Sequence, residues 1–148
     1  MSTNRETKRD ALTTLLSAAL VGTGKPAQAF YGYKVGDFGG QSPVCALTSN
    51  GTELDARAVT SRRKITFSFI LYTFTLYGEA GTAYGEDDAE DTVDLLEKTI
   101  RDTISTNLST TNWALIGYDG RTTVDSVLIA GEEYQRESIP LFIECYDD

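Results

Sequence analysis

An α+β domain is the architecture this sequence predicts: a mainly antiparallel β-sheet with two principal helices packed on one face. Three observations predict it. The order of elements is helix, strands, helix, strands, which segregates the helices instead of alternating them with strands. Two stretches carry apolar residues at helical spacing, and the rest alternate as strands do. No internal repeat, low-complexity tract or linker divides the 148 residues, so one domain over 1–148 is expected, long enough to bury a substantial core.

The opening helix is expected over residues 4–21, where Leu12, Leu15, Leu16, Ala19 and Leu20 fall on one face. Thr3 and Glu6 stand in capping-box positions, and Gly22 and Gly24 can end it. The same stretch imitates a secretory signal, with Lys8 and Arg9 before an apolar run and Ala27-Gln28-Ala29 as a cleavage-like site. Glu6 and Asp10 dilute its basic part, and Thr13, Thr14 and Ser17 interrupt its apolar part. It therefore reads as a core-facing helix.

A strand is expected over 27–33, followed by a loop of turn formers, Gly36-Asp37-Phe38-Gly39-Gly40-Gln41-Ser42. A second strand from Pro43 should end at the Asn50-Gly51 turn signal. The polar stretch Glu53 to Arg63 reads as a surface connection. Lys64 to Tyr77 is the most informative run. Ile65, Phe67, Phe69 and Leu71 make one face apolar, and Ile70, Tyr72, Phe74 and Leu76 make the opposite face apolar too. A sheet covered by helices on one side does not require that. Either the strand bends through a bulge or something covers its far side, and a second subunit is one such cover.

A second helix is expected over 87–107, with Ala89, Val93, Leu96, Ile100, Ile104 and Leu108 as its stripe. Asp87, Asp88, Glu90 and Asp91 crowd its start, where the helix dipole favours negative charge. Strands follow over 113–118, 123–129 and 134–146, with a turn at Gly120 between the first two. Ile139, Leu141, Ile143 and Cys145 share a face of the last, and Pro140 suggests an edge position or a strand start.

Composition narrows the function. With no histidine, Ser-His-Asp and Cys-His catalysis, His-containing zinc sites and histidine pH switches are excluded. Thirteen basic against 22 acidic side chains give a net charge of −9. The basic field that drives ordinary nucleic-acid or anionic-membrane binding is missing, although an acidic wall can let a duplex pass without sticking. No run approaches the roughly 20 apolar residues of a membrane span. Cys45 and Cys145 form no CxxC pair and read as small buried hydrophobes in a reducing compartment, with one disulfide as the alternative.

Several motifs fail on inspection. Gly24-Lys25 resembles the end of a phosphate-binding loop, but Ala19 replaces its leading glycine and Pro26 its Ser/Thr. Asp37-Phe38-Gly39 matches a kinase triplet in a chain with none of the other kinase elements. No Asp-x-Asp-x-Asp-Gly loop supports the acidic cluster as a calcium site. No nucleophile has an activating neighbour, so no catalytic residue, metal or cofactor is expected.

Taken in order, the pieces resemble the tail terminator (tail completion) proteins of long-tailed bacteriophages. The resemblance rests on the Arg/Ala/Leu-rich helix Arg5–Leu20 and on Ala29-Phe30-Tyr31-Gly32-Tyr33 leading into Gly36 to Val44. The aromatic strand Ile65–Tyr77, the acidic-capped helix and the ending Tyr134 to Tyr146 complete it. It covers most of the chain and is one of order and texture.

The resemblance implies a virion protein of the tail–neck region, assembled in the host cytoplasm. It would form a homo-hexameric ring on the head-proximal end of the tail tube. That ring would stop tube polymerisation, contact the tail tube protein and the head-completion (connector) protein, and let DNA through without sequence-specific binding. Candidate residues follow from that implication. Ile70, Tyr72, Phe74 and Leu76 would form the subunit interface. Asp37, Phe38, Gln41, Glu53, Asp55 and Arg57 would lie on ring-stacking loops. Glu86, Asp87, Asp88, Glu90 and Asp91 would supply an acidic lumen, in competition with their capping role. The alternatives are another neck or head-completion ring subunit, and a soluble acidic adaptor that binds a partner by sheet-edge addition. A hydrolase using unpaired carboxylates is more distant.

Overall fold

The computed structural model describes residues 4–54, 63–76 and 86–147. Its elements are α1 (Arg5–Leu20), β1 (Ala29–Tyr31), β2 (Val44–Leu54), β3 (Arg63–Leu76), α2 (Glu86–Thr106), β4 (Leu115–Tyr118), β5 (Thr123–Ile129) and β6 (Glu132–Asp147). The six strands form one open sheet in the order β1-β2-β3-β6-β4, with β5 also paired to β6. β1 runs parallel to β2 and the other pairings are antiparallel, so the fold is α+β with a mixed, mostly antiparallel sheet.

The main core lies between the helices and one face of that sheet. α1 buries Leu12, Leu16 and Leu20 at steps of four, and α2 buries Leu96, Ile100 and Ile104. They pack on Cys45 and Leu47 of β2, on Ile65, Phe67, Phe69 and Leu71 of β3, and on Ile139, Leu141 and Ile143 of β6. Truncating any of these large aliphatic side chains to alanine costs about 2–5 kcal/mol. The expected alternation of Ile65 to Leu71, and the shared face of Ile139 to Cys145, are both present.

Local details depart from the sequence reading in instructive ways. Asn4 caps α1, its side chain accepting the Glu6 N–H at 2.8 Å. That puts Glu6 too early for a capping box, and Thr3 lies outside the described residues. Asn50-Gly51 does not turn the chain. β2 continues to Leu54, and the register against β3 slips between Ser49 and Gly51. The bulge thus belongs to β2, not β3, and Gly51 (φ 155°) sits in it. The expected polar connection begins two residues later, and its residues 55–62 lie outside the described residues.

Trp113 precedes β4 and turns inward, its indole N–H donating to the Asn107 carbonyl at 2.9 Å. Leu108 falls beyond the end of α2 and is exposed. Pro140 lies in the interior of β6, which is flanked by β3 on one side and by β4 and β5 on the other. Its carbonyl accepts the Asp119 N–H at 2.8 Å, in the gap between the β4 and β5 pairings. A proline nitrogen aimed at that gap removes no ladder bond, so no edge position was needed.

Candidate functional site: the helix-free face of the sheet

Residues paired across antiparallel strands share a face, so the register defines the side of the sheet that the helices leave uncovered. Across β2, β3 and β6 it carries Val44, Phe74 and Arg136, then Ala46, Tyr72 and Ser138, then Thr48, Ile70 and Pro140. Farther along, Ser68 faces Phe142, which faces Gly117 of β4, and Leu115 faces Glu144.

One end of this face is closed by the chain itself. Asp37 accepts the Gly39 N–H on its side chain at 2.8 Å, and Gly39 (φ 59°) and Gly40 (φ 80°) reverse the loop. Phe38 is thereby lowered onto the sheet. Its ring lies 4.8 Å from that of Phe74 and 5.4 Å, edge-on, from that of Tyr134. The loop is tied down on both flanks. Tyr31 donates its hydroxyl to Gln41 Oε1 at 2.8 Å, and Ser42 Oγ accepts the Leu76 N–H at 2.8 Å. Phe38, Val44, Ala46, Phe74 and Tyr134 form a second buried core.

This corrects the expectation for two loop residues and one strand residue. Phe38 is 3% exposed and Phe74 7%, so both are mainly interior groups of the subunit. Gln41 is half-buried and serves the loop's own fold. Leu76 packs against this second core. Asp37 and Glu53 are exposed. Asp55 and Arg57 lie outside the described residues, as do the side chains of Glu86, Asp87 and Asp88. Glu90 and Asp91 are exposed on the first turns of α2.

The middle of the face has no such cover among the described residues. Ile70, Tyr72, Pro140 and Phe142 are half-buried there, and Leu115 and Tyr146 are exposed. Gly117 permits the arrangement at the β4 edge, because a Cβ there would come within 3.1 Å of the Phe142 ring. Beside this patch lies a groove of about 460 Å³, floored by Tyr72 and Phe74 and walled by Val35 and by Val127 to Ile129. Arg136 stands over the Tyr72 ring, 5.4 Å from its centroid, and holds Asp125 through two bonds of 3.0 and 2.7 Å. That contact keeps the Asp125 carboxyl below its usual range. Lys34, at the groove mouth, is exposed.

The sequence reading missed Pro140, Phe142, Leu115, Arg136 and Lys34. A signal existed for Phe142, which breaks the polar parity of its strand as Ile70 does in β3. None existed for Arg136, whose place depends on the β5–β6 register.

Buried polar groups cluster on the helix side. Glu137 is 4% exposed, and one of its carboxylate oxygens has no hydrogen-bond partner among the described residues; neither do Thr73 Oγ1, Thr75 Oγ1 and Gln135 Oε1. Register places Thr73 opposite Glu137 and Thr75 opposite Gln135. Burial raises the Glu137 carboxyl, and the charges of Glu97 and Asp94 add to the rise against a hydrogen bond with Thr122. Both cysteines are buried, and burial pushes the Cys45 thiol up to about 12. Among the described residues, no group of three or more His, Cys, Asp or Glu side chains is placed to hold a metal ion, and no helix is long and apolar enough to cross a membrane.

No protein-family model matches the chain, and a search of curated proteins gives no match.

Proposed function

We propose that this chain is a structural assembly subunit of a long-tailed bacteriophage, acting as the tail terminator. Copies of it close into a hexameric ring on the head-proximal end of the tail tube, stop tube growth and present the surface on which the head connector docks. It performs no catalysis in this role. The reading draws its family from the resemblance described above. It draws its physical support from one observation: the helix-free face of the sheet carries an apolar centre, Ile70, Pro140 and Phe142, that is left half-buried beside Tyr72, which itself lies under Arg136 and against the second core. An antiparallel sheet with one solvated face ordinarily places polar residues there. A neighbouring copy seated on that centre would remove it from water.

A ring requires a head-to-tail contact whose rotation closes, since an isologous contact stops at a dimer. One ring surface must fit the last tube ring and the other must refuse a further copy, a matter of specificity. Asp37 and Glu53, exposed on loop and strand end, are the described candidates for those stacking contacts. Acidic side chains at the start of α2, Glu90 among them, would give a lumen along which DNA slides without counterion-driven attraction.

The test is negative-stain imaging of the purified protein, alone and mixed with tail tubes. Rings on one end of the tubes are expected; free particles that never cap a tube would sink the reading. Co-purification with DNA-filled heads instead of tail tubes would move the chain to another neck position.

One observation favours a second reading, an adaptor that binds a partner by strand addition. β1 covers only Val44 to Ala46 of β2, which leaves the outer edge of β2 from Leu47 to Leu54 without a strand beside it among the described residues. The bulge at Ser49–Gly51 interrupts that edge, a feature that blunts strand pairing. Partner binding lost on blocking this edge, with oligomeric state unchanged, would select the adaptor.

A further inference from the structure

The outer surface of α2 and the groove beside Tyr72 each set apolar side chains next to charge, acidic on the helix and basic at the groove. Leu95 is 52% exposed on that surface, one helical turn from Asp91, and Asp94 flanks it about 100° around the helix, both acids being exposed. Lys98, the nearby cation, is engaged by Asp102 at 2.6 Å, so the patch around Leu95 stays negative. On the opposite side of the molecule, the groove offers an aromatic floor of Tyr72 and Phe74, apolar walls at Val35 and Val127, and Lys34 at its mouth. Arg136 lines it too, with its charge balanced by Asp125. Lys34 has no ion pair among the described residues, which makes it the uncompensated charge at that mouth.

The geometry points to a second copy of this chain as the occupant of the groove, with its α2 placing Leu95 on Tyr72 and Asp94 against Lys34. The helices pack on one face of the sheet and the groove opens on the other, so the contact joins opposite sides of successive copies. It is therefore heterologous and propagates around a ring. Net charge favours this occupant: in a chain of −9, an exposed cation beside an apolar groove suits an acidic helix face, and the chain itself carries one. The inference rests on the ring reading and adds the two surfaces that meet. Asp91 then serves the contact between neighbours, not the lumen.

The experiment compares molar mass across a concentration series by sedimentation velocity for the full chain and two charge reversals, Lys34→Glu and Asp94→Lys. Each residue is exposed, and circular dichroism with a melting curve verifies that the variants fold. Each single reversal is expected to raise the concentration for half-assembly at least tenfold. An equimolar mixture of the two is expected to restore it. In an alternating ring every unaltered groove then meets an unaltered helix, and every groove carrying the Lys34→Glu change meets a helix carrying Asp94→Lys. Rings that form equally well in both variants, or a mixture that stays dissociated, overturn the pairing and leave the ring reading standing. A wild-type chain that remains monomeric at every concentration, and on tail tubes as well, overturns both.

Discussion

The ring of Phe38 lies 4.8 Å from the ring of Phe74, inclined to it by 49°, and so a loop residue closes the far side of the longest apolar run in the chain. That contact divides the doubly apolar strand β3 into two parts. Phe74 is buried within the subunit and Tyr72 and Leu76 pack against that second core, whereas Ile70 is left at a half-buried surface outside it. In the proposed ring, a neighbour is called for over the second part alone.

Phe38→Ala should therefore behave as a core truncation, losing about 3–5 kcal/mol of stability in urea denaturation. A residue that served only to touch another ring would lose less than about 0.5 kcal/mol in the isolated chain. The small value would show that the second core does not form.

Neighbouring positions on β3 should separate folding from assembly. Ile70→Asp, on the helix-free face, is expected to cost about 1 kcal/mol and to abolish ring formation. Leu71→Asp, fully buried against the helices, should prevent folding, since an unpaired carboxylate in that core costs several kcal/mol. Melting curves and particle images of the two variants give the comparison. Rings formed by folded Ile70→Asp protein would remove this face from the interface.

Gly117 is where the backbone of β4 passes beneath the Phe142 ring. Gly117→Ala should cost about 1–2 kcal/mol because the ring must tilt away from the new methyl group. The cost should vanish in a Phe142→Ala background. A double-mutant cycle with no coupling would mean that the ring moves freely.

Glu137 should make the chain less stable as pH rises. Burial lifts its carboxyl above the value it has in the unfolded chain. Between those two values the native state holds more protons than the unfolded one, so unfolding becomes easier with increasing pH until the folded group is ionised. Glu137→Gln keeps the shape without the charge. Its stability, followed from about pH 4 to about pH 8, should lack that decline and exceed wild type at the upper end. Parallel curves for the two proteins would contradict the burial of the charge.

Neither thiol should react in the folded protein. Cys45 is fully buried with its thiol raised to about 12, and Cys145 is 6% exposed in the same core. An aromatic disulfide reagent at about pH 8 should label none in native buffer and both in denaturant. Rapid labelling without denaturant would show that the helix layer opens.

The sequence alone determined which residues face the helices. Leu12, Leu16 and Leu20 recur at the helical period, and Ile65 to Leu71 and Ile139 to Cys145 recur at the strand period. Periodicity is a local property, written by the geometry of each element, and it requires no knowledge of neighbours. The excess of apolar residues on the second face of β3 was visible in the same way.

What covers that face was a tertiary decision. Phe38 stands in a glycine-rich loop whose composition suggests only a turn, and its burial depends on a long-range contact with Phe74 and Tyr134. Asn50-Gly51 continues a strand because β3 pairs with both sides of the bulge, a long-range contact that outweighs the local turn preference. Pro140 is tolerated inside the sheet because its nitrogen meets the gap between β4 and β5, and Arg136 meets Asp125 because of one particular register. Each depends on residues far apart in the chain arriving side by side. Local pattern selects a face, while the partner opposite it is chosen by the closing of the whole sheet.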